Sequence, residues 1–541
     1  MKMRIWIFFA LLLTNLGVLI SQVQVQKWHR FEKTFQYNPK VNPFTDIKLT
    51  ATFTNPDTTF TVHGFYDGDS NFKIRFMPQW EGIWTYKTTS NIPEMDNQQG
   101  NFICVAASGK NQGMLKVADT YHFKYENGDY YYPFGTTLYA WTHMDEKLRK
   151  LTLENIQKAG FNKVRMCVLP KAYGSTIKEP VMYPFKLKKM HSNKAGKERY
   201  EWDFEEFNPT FFQNLEQRIY ELDSIGTQAD LILFHPYDEN RWGFDEMPHD
   251  MDVRYLEYVT ARISSFKNVW WSLANEWGYL KEKSVADWDD LIRTTVKNDP
   301  YGHLCSIHGP TAVYYNYMMP ELTHVSIQDE APVLTSFGAA TLRNIYKKPI
   351  LLDEVGYEGN LSSRWGRLSP QKLTHLFWNG IIAGGYVTHG EVYDHGKEDN
   401  VVWSNGGTLV GESWKRIKFL KELMEAGQGP LFMSDISRDL VTASAGNGYY
   451  LIYFGEKLQE EWTFSLPKKN GDLKKLKEGE QFKVEIIDAW NMTITEVPGQ
   501  FETKSAGRYQ MVDKEMKRVL LPYTPFIALR ITKVKEKNGP N

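Results

Sequence analysis

The most constraining feature of this chain is a regular alternation of two kinds of segment after about residue 130. Short apolar runs rich in β-branched and aromatic residues alternate with longer stretches whose apolar residues recur every three or four positions. The first pattern predicts buried strands and the second predicts amphipathic helices, so their alternation indicates βα units around a parallel sheet. Eight strand-like runs occur, at 132–139, 163–169, 229–235, 269–274, 304–308, 325–328, 349–353 and 385–389.

The helix-like stretches lie between these runs, at 151–159, 211–222, 253–266, 285–296 and 371–383. Eight strands with their helices over roughly 260 residues match the usual size of a (β/α)8 barrel, about 250 residues. In such barrels the loops at the carboxyl ends of the strands carry the functional residues. We therefore predict an α/β fold built on a (β/α)8 TIM barrel, with its chemistry where the strand-like runs end.

The segments on either side of the barrel are strand-rich. Period-two alternation at 72–76 and 83–86, with the turn signal Asp67-Gly68, predicts an immunoglobulin-like β-sandwich over 22–110. After a last helix at 412–425, the stretch 427–430 breaks the helical pattern, and strands at 449–454, 483–487 and 526–531 predict a second β-sandwich. We expect domains at 22–110, 111–428 and 429–541, and we favour a bracing role for the first domain over carbohydrate binding.

The first 21 residues have the pattern of a secretory signal peptide. Lys2 and Arg4 precede an apolar run from 5 to 20, and a polar, glutamine-rich stretch follows Ser21. We expect residues 1–21 to be cleaved, which favours a secreted or periplasmic protein over one with a retained membrane anchor. No cysteine stands directly after the apolar run, which argues against a lipid anchor.

Charge and composition exclude some classes of partner. A formal net charge of -1 gives no basis for binding nucleic acid or, after cleavage of the signal peptide, an anionic membrane. The 541 residues exceed what one hydrophobic core usually holds, in keeping with several domains. We expect neither a metal nor another cofactor. The oligomeric state does not follow from the sequence.

Two glutamates occupy matching places in the barrel pattern. Glu276 comes after the fourth strand-like run, preceded by Asn275, and Glu354 comes after the seventh, preceded by Asp353. Both glutamates should lie on the carboxyl-terminal rim of the barrel. Adjacent residues on a strand point to opposite faces, so we expect only one of Asp353 and Glu354 to face a site. Two carboxylates on one rim are the groups that cleavage of a glycosidic bond requires.

Further motifs follow the same strands. Together with Asn275 and the two glutamates, they resemble the retaining glycoside hydrolases on (β/α)8 barrels, which carry an Asn-Glu pair after strand four and a Glu after strand seven. More narrowly, they resemble the secreted bacterial apiosidase-like glycoside hydrolases, and the resemblance extends from the barrel to the flanking domains. The motifs are Phe234-His235-Pro236-Tyr237-Asp238, Arg241-Trp242-Gly243-Phe244, Tyr357-Glu358-Gly359-Asn360 and Thr388-His389-Gly390-Glu391.

The resemblance implies a role for each residue of the central motifs. Glu276 would be the acid/base, Glu354 the nucleophile, and Asn275 would donate to the 2-hydroxyl of the substrate. Glu276 must keep its proton near neutral pH, which requires a pKa raised by partial burial or by the charge of Glu354; Trp277 would supply an apolar wall. Once Glu354 forms a glycosyl-enzyme, its charge is lost and the pKa of Glu276 should fall, which suits it to act as base.

Other residues at the ends of the strand-like runs are candidate substrate-binding residues with open alternatives. Arg165 would hydrogen-bond the nucleophile and keep it ionised, or would form a buried ion pair that only orders the barrel. His235 would hold a sugar hydroxyl or orient Glu276, or would be a core histidine. Many members of the superfamily bind the nucleophile through a Tyr or His after strand six, where this chain has Gln328. The remaining candidates are Trp242, Tyr357, His389 and Glu391.

We expect from these observations a secreted retaining glycoside hydrolase acting on plant or microbial polysaccharide or oligosaccharide. The long segments 171–200 and 238–250 favour a pocket and exo action. Two alternatives stay open: a non-catalytic carbohydrate-binding barrel, and a metal-dependent barrel hydrolase that uses His235, His308 and His389. The metal-dependent class usually has a His-x-His pair after strand one, which the segment 139–143 of this chain lacks.

Overall fold

The structure is a computed structural model that describes residues 23–172, 179–192, 198–238, 241–335, 337–394, 401–427, 429–437, 440–446, 448–468 and 475–534. The predicted signal peptide, residues 1–21, lies outside the described residues, as do parts of the two long segments expected to shape a pocket. In the described ranges, no helix has the length and apolar character needed to cross a lipid bilayer.

The N-terminal region consists of strands in two sheets. The strands are β1 (Gln24–Gln26), β2 (Phe31–Gln36), β3 (Leu49–Asn55), β4 (Thr58–His63), β5 (Phe65–Tyr66), β6 (Asn71–Phe76), β7 (Gly82–Ser90) and β8 (Gln99–Val105). One sheet has the order β1-β8-β7-β3-β4 and the other β2-β6-β5. Residues of both sheets, among them Phe31, Phe53, Phe76 and Phe102, share one apolar core. The region is β-rich, as predicted, while its immunoglobulin-like topology stays a prediction.

A parallel sheet of eight strands follows, with one strand in each predicted run. The strands from here to the last helix are β9 (Leu115–Ala118), β10 (His122–Tyr125), β11 (Tyr130–Tyr131), β12 (Gly135–Thr137), β13 (Lys163–Cys167), β14 (Phe185–Ser192), β15 (Glu198–Phe207), β16 (Gln228–Phe234), β17 (Val269–Ala274), β18 (Cys305–Ser306), β19 (Val325–Gln328), β20 (Ile350–Glu354), β21 (Glu358–Gly359), β22 (Tyr386–His389), β23 (Glu391–Tyr393) and β24 (Val401–Val402). The parallel sheet has the order β18-β17-β16-β13-β12-β22-β20-β19. An isolated parallel bridge between His308 and Ser326 joins its two ends, so the sheet nearly closes into a TIM-like barrel.

The helices of this region include all five predicted stretches and the predicted last helix. They are α1 (Glu146–Ala159), α2 (Pro209–Ser224), α3 (His249–Ile263), α4 (Val285–Asn298), α5 (Ala331–Leu334), α6 (Gly338–Tyr346), α7 (Pro370–Ile382) and α8 (Ser413–Glu425). Local sequence explains their starts: Ser284 and Asp287 form a capping box on α4, and the side chain of Asp145 accepts from the amide of Leu148 on α1.

The interior of the barrel holds two buried cations paired with two buried carboxylates. Lys163 Nζ lies 2.9 Å from Asp230 Oδ2 and 2.6 Å from Asp353 Oδ1. Arg165 Nη1 lies 3.3 Å and 3.1 Å from the same two carboxylates. Buried charges are tolerated when they are paired in this way. The pairing leaves the layer beneath the rim without net charge.

The C-terminal region is again built from strands. They are β25 (Phe432–Ser437), β26 (Leu440–Ala445), β27 (Tyr449–Tyr453), β28 (Glu461–Thr463), β29 (Ser465–Pro467), β30 (Gln481–Asp488), β31 (Thr493–Glu496), β32 (Phe501–Ala506), β33 (Gln510–Asp513), β34 (Arg518–Leu520) and β35 (Ile527–Lys533). β28 pairs with β34, and the other strands join one nine-stranded sheet with a separate apolar core. The sandwich form of this region and the domain bounds stay predictions.

Candidate active site

A pocket of about 760 Å³ lies at the carboxyl ends of the parallel strands and contains both predicted glutamates. Residues that follow different strands of the barrel converge on it, as the near-closed sheet requires. Its walls include Thr137, Tyr139, Lys171, Tyr237, Glu276, Tyr279, Gln328, Glu354, Tyr357, Trp365 and Glu391.

Four side chains donate hydrogen bonds to the carboxylate of Glu354. Tyr139 Oη donates to Oε1 at 2.5 Å and Tyr357 Oη to Oε2 at 2.7 Å. Weaker bonds come from Trp365 Nε1 to Oε2 at 3.3 Å and from Asn275 Nδ2 to Oε1 at 3.4 Å. The carboxylate is therefore fixed in orientation at both of its oxygens.

These neighbours keep Glu354 ionised against the effect of burial. Burial by itself raises the pKa of a carboxyl group, because the charged form loses solvation. Here the adjacent His308 and the hydrogen bonds from Tyr139 and Tyr357 outweigh burial, and they lower the pKa of Glu354 to about 2. His308 Nε2 lies 3.6 Å from Glu354 Oε1. Near neutral pH, Glu354 is a carboxylate.

A bulge at the end of β20 places Asp353 and Glu354 at different sites. The register of β19 against β20 passes from Ile327 opposite Leu352 to Gln328 opposite Glu354, which leaves Asp353 as the extra residue. Strict alternation of faces, on which our expectation rested, therefore does not hold here. Asp353 contacts the cations of the barrel interior, while Glu354 lines the pocket.

Glu276 experiences the opposite electrostatic effect. Burial raises its pKa, the charge of Glu354 raises it further, and a hydrogen bond with Gln328 and the charge of Lys171 lower it; the result is about 7. Its backbone is left-handed, with φ 50° and ψ 48°, where β17 ends and a short 3-10 turn begins. A residue other than glycine in this region is strained, and such strain is typical of functional positions.

Asn275 links the pocket to the interior of the barrel. Its Oδ1 accepts from Arg165 Nη2 at 2.8 Å, which leaves Nδ2 to donate to Tyr237 Oη at 3.1 Å and to Glu354. Arg165 makes no hydrogen bond to Glu354, so the prediction that it binds the nucleophile directly is wrong. Its partners are Asp230, Asp353, Ser326 and Asn275, and it orients the amide that contacts Glu354.

Gln328 does not take the place of the Tyr or His that binds the nucleophile in related enzymes. It lines the pocket, and its hydrogen bond goes to Glu276, where it favours the ionised form. The tyrosines that hold Glu354 come instead from the end of β12 and from the loop after β20.

Three predicted substrate-binding residues belong to packing rather than to the pocket. His235 is buried and both ring nitrogens meet backbone, Nε2 with the Leu169 carbonyl at 3.0 Å and Nδ1 with the Tyr237 amide at 3.1 Å. Trp242 is 1 % exposed, and its ring packs beside Phe244. Trp277 packs edge-on against Tyr315, with ring centroids 5.1 Å apart, and is not among the pocket walls.

His389 and Glu391 lie together with Glu358 in a buried cluster beside the pocket. Glu391 accepts from the amides of Val410 and Gly411, while Glu358 accepts from the amides of Glu412 and Ser413, at the start of α8. His389 is fully buried and contacts Thr136 and Glu391, so it does not reach a substrate. Glu391 does line the pocket, although backbone amides already occupy its oxygens.

This cluster is also the one place in the described ranges where three potential metal ligands converge. Ligand atoms of Glu358, His389 and Glu391 lie within 4.8 Å of one another. The oxygens of both carboxylates already accept from backbone amides, at 410–413, which leaves them little capacity to coordinate a cation. The residues therefore do not fit a metal ion well. The histidines of the metal-dependent alternative do not meet: His235 contacts backbone, His308 lies beside Glu354, and His389 lies beside Glu391.

Lys171 and Tyr237 are pocket residues that the sequence did not single out as candidates. Lys171 follows β13, and its Nζ lies 4.4 Å from the ring centroids of both Tyr139 and Tyr237. Tyr237 stands within a motif that we noted, three residues after β16 ends, which is a usable signal. Lys171 has no comparable signal, because a lysine after a strand is common on protein surfaces.

A nearly closed parallel barrel with two pocket carboxyl groups of divergent pKa defines a glycoside hydrolase-like protein. The family description "Apiosidase-like, catalytic domain" matches residues 118–428, and the chain belongs to this family. Domains of unknown function match the flanks, DUF5060 at 24–91 and DUF5605 at 439–532. No curated protein matches the chain.

Two solved structures are similar to this chain. The chain is 55% identical to a candidate glycoside hydrolase from Bacteroides vulgatus, with 95% of this chain and 100% of that chain covered and a TM-score of 0.92. A structure described as a glycoside hydrolase is 13% identical, with 79% of this chain and 98% of that chain covered and a TM-score of 0.55. The second likeness shows a shared fold alone.

Proposed function

We propose that the protein is a secreted glycoside hydrolase that cleaves O-glycosidic bonds with retention of configuration, through Glu276 as acid/base and Glu354 as nucleophile. One observation supports this most strongly: the two carboxyl groups share one pocket while their pKa values lie far apart, about 7 and about 2. Such a pair supplies a proton donor and a nucleophile at the same pH.

In the first half of the reaction, Glu276 gives its proton to the glycosidic oxygen as the bond from that oxygen to the anomeric carbon breaks. A carboxylate oxygen of Glu354 attacks the same carbon and forms a covalent ester. In the second half, Glu276 takes a proton from water, the resulting hydroxide attacks the anomeric carbon, and Glu354 leaves as a carboxylate. Both residues return to their starting states.

The neighbours of Glu354 suit it to this role. Tyr139 and Tyr357 hold one oxygen each, so the carboxylate needs no reorientation before attack. Asn275 is held by Arg165 with its amide nitrogen towards Glu354, which supports its proposed role as the donor to the 2-hydroxyl of a bound sugar. Tyr279, which is 55% exposed on the rim, offers a ring face to a sugar on the leaving-group side.

We propose exo action on side chains of plant or microbial polysaccharides. The short sheet β21-β23-β24 and the segment 361–366 contribute apolar walls through Leu361, Val392 and Val402. Such walls favour a pocket that accepts a chain end over an open cleft. Secretion is supported by the signal-like residues 1–21.

A panel of aryl furanosides, aryl pyranosides and pectic and hemicellulosic oligosaccharides tests this function. We expect wild type to hydrolyse at least one member. The sugar anomer that is released first, detected by NMR, should have the same anomeric configuration as the substrate. Glu276→Ala and Glu354→Ala should each lose the activity. Release of the opposite anomer would contradict retention, and activity lost only on chelation would favour the metal-dependent class. A panel that is bound but not cleaved would favour a non-catalytic carbohydrate-binding barrel.

A further inference from the structure

We propose that Ser326 is a positioning residue that keeps the ring of His308 doubly protonated beside Glu354. The Ser326 hydroxyl gives its own hydrogen to Asp353 and thereby requires His308 to carry a hydrogen on Nδ1. This inference rests on the function proposed above, and it gives the nucleophile a positively charged partner whose proton positions are set from the barrel interior.

The hydroxyl of Ser326 has three polar neighbours. Its Oγ lies 2.6 Å from Asp353 Oδ2, 3.1 Å from His308 Nδ1 and 3.4 Å from Arg165 Nη1. A hydroxyl has one hydrogen to donate and two lone pairs with which to accept. Since the guanidinium of Arg165 can only donate, the single hydrogen of Ser326 goes either to Asp353 or to His308.

The charge of Asp353 decides between these two acceptors. Burial by itself would raise the pKa of this carboxyl group, but Lys163, followed by Arg165, holds the pKa of Asp353 well below its ordinary range. Asp353 is therefore a carboxylate, which can only accept, and it lies closer to the hydroxyl than the ring does. The hydrogen of Ser326 goes to Asp353. His308 then donates to Ser326, which requires a hydrogen on Nδ1.

The second ring nitrogen of His308 faces the nucleophile. The side chain is fully buried, and Nε2 lies 3.6 Å from Glu354 Oε1. With its hydrogen on Nδ1, a neutral ring would turn the lone pair of Nε2 towards the carboxylate, and the two would repel. A ring with hydrogens on both nitrogens instead places an N–H and a positive charge beside a negative one. The fixed hydrogen on Nδ1 therefore favours the imidazolium.

The charges of the barrel interior are balanced without His308. The two interior cations, Lys163 and Arg165, are paired with two carboxylates, as described above. An imidazolium at His308 therefore pairs with Glu354. In agreement, burial raises the pKa of Glu354, and His308 is the largest of the influences that lower it.

A cation beside Glu354 matters most when the glycosyl-enzyme breaks down. Glu354 is then an ester, and it leaves the anomeric carbon as a carboxylate. The imidazolium stabilises the negative charge that develops on the departing oxygens. We therefore expect that loss of the ring's charge slows the second half of the reaction.

Nuclear magnetic resonance of the free protein, labelled at the histidine ring nitrogens, tests the proton positions. Signals that disappear in His308→Gln belong to His308. At about pH 7, wild type should have hydrogens on both ring nitrogens. Ser326→Ala should have a single hydrogen, on Nε2, because Nδ1 has lost its acceptor and Glu354 still accepts.

The matched control is Thr388→Val. The Thr388 hydroxyl also donates to Asp353, at 2.8 Å, so its only hydrogen is not shared with His308. Neither Ser326 nor Thr388 is among the pocket walls. Thr388→Val should show the wild-type ring. A singly protonated ring in wild type, or the same ring state in Ser326→Ala as in wild type, would overturn the inference.

Kinetics with an aryl glycoside that wild type cleaves test the use of the charge. The ratio of the second-step rate in Ser326→Ala to that in wild type should be about one tenth at about pH 7. This ratio should return towards one as the pH falls and the ring regains its second hydrogen. In His308→Gln, which cannot become charged, the ratio should stay low at every pH.

A rate ratio in Ser326→Ala that does not change with pH would contradict the role of the charge and leave the proposed function standing. Failure of the proposed function would instead be seen as loss of retention in the panel described above. The resonance experiment needs no substrate, so its result is independent of that panel.

Discussion

At the scale of single residues, Tyr139 and Tyr357 are as informative as the glutamates themselves. Each donates one hydrogen bond to Glu354; Tyr139 is buried and Tyr357 is half-buried, so both bonds are made in a medium of lower dielectric constant than water. Hydrogen bonds to a charged acceptor in such a place are stronger than those between neutral groups. The two tyrosines therefore contribute directly to the low pKa of Glu354.

Tyr357→Phe tests this contribution. Removal of the hydroxyl takes away a donor that lowers the pKa of Glu354, so the pKa should rise and the acidic limb of the kcat/KM profile should move to higher pH. A bond of this kind contributes about 1.5–3 kcal/mol, which corresponds to a loss of about 10- to 100-fold in kcat/KM. Tyr130→Phe, which removes a hydroxyl bonded to Asp119 outside the pocket, should leave both quantities unchanged. An unmoved acidic limb in Tyr357→Phe would contradict this account of Glu354.

The sequence predicted the places of Glu276 and Glu354 because the barrel repeat alone fixes which residues follow strands four and seven. It did not predict the partners of Arg165, His235 and Gln328. The hydrogen-bond partners of these residues depend on the position of each side chain along the barrel axis. The bulge at Asp353 shifts the register of β19 against β20, and no clear sequence signal indicates it. The alternative of a buried ion pair, which we left open for Arg165, describes its contacts with Asp230 and Asp353.

At the scale of elements, the start of α8 depends on two buried carboxyl groups. Glu358 and Glu391 together accept from four consecutive backbone amides, at 410–413, which lead into the helix. The amide of Ser413, the first residue of α8, has no partner within the helix. Burial, and then the neighbouring charge of Glu358, raise the pKa of Glu391 to about 7. Its other neighbour, His389, is neutral because burial lowers the pKa of that imidazole to about 3. His389 Nε2 has no hydrogen-bond partner and lies 3.7 Å from Glu391 Oε2.

Glu391→Gln should remove a pH dependence of stability. The folded-state pKa of Glu391 lies above the ordinary value of 4.5. The contribution of Glu391 to the free energy of unfolding is therefore fully present below pH 4.5 and is lost as the pH rises through about 7. Over this pH interval, the free energy of unfolding of wild type should fall by up to about 3 kcal/mol relative to that of the glutamine variant. Thermal unfolding midpoints from pH 4.5 to 8 measure the difference.

The matched control is Glu358→Gln. Its oxygens accept from the amides of Glu412 and Ser413 and from the hydroxyl of Tyr393, so a glutamine amide would oppose existing donors. This variant should be destabilised across the whole pH range, and it should keep only part of the pH dependence of wild type, because the charge of Glu358 helps to raise the pKa of Glu391. A constant difference between wild type and Glu391→Gln from pH 4.5 to 8 would contradict the assignment of a proton to Glu391.

The strands and helices of the barrel were largely predictable because hydrophobic periodicity reports burial directly. Where prediction failed, the element is short. The short strands β21, β23 and β24, which form a wall of the pocket, span two or three residues each, too few to show a period. Their existence depends on pairing with one another, which a local pattern does not contain.

At the scale of the whole molecule, a buried ion cluster joins the N-terminal region to the barrel helices. Arg75 on β6 lies 2.8 Å from Glu216 on α2 and donates to the carbonyl of Arg262 on α3 at 2.8 Å. Arg262 in turn lies 2.6 Å from Asp67. These contacts support our proposal that the N-terminal region braces the barrel.

Arg75→Met should therefore lower the stability of the protein without changing its catalytic rate constant. Removal of the Arg75 guanidinium leaves the buried charge of Glu216 only partly paired, and breaking a buried ion pair costs about 3–5 kcal/mol of stability. The thermal unfolding midpoint should therefore drop by several degrees. The kcat of the folded fraction should not change, because the cluster does not line the pocket. Arg518→Ala, which breaks an exposed pair with Glu461, should shift the midpoint little. Similar midpoints for the two variants would contradict the bracing role.

The broad architecture was predictable from sequence at this scale, because composition, length and the change of pattern at both ends of the barrel are properties of long segments. The contact between the regions was not. Arg75, Glu216 and Arg262 are far apart in sequence, and nothing in their local patterns indicates that their charges meet.

Azide rescue of the two glutamate variants tests the central claim most directly. With an aryl glycoside that wild type cleaves, Glu276→Ala plus azide should give a glycosyl azide of retained configuration, since azide attacks the glycosyl-enzyme without needing a base. Glu354→Ala plus azide should give the inverted glycosyl azide, since azide then replaces the nucleophile. Undiminished hydrolysis by both variants, with no glycosyl azide, would contradict the assignment of Glu276 and Glu354.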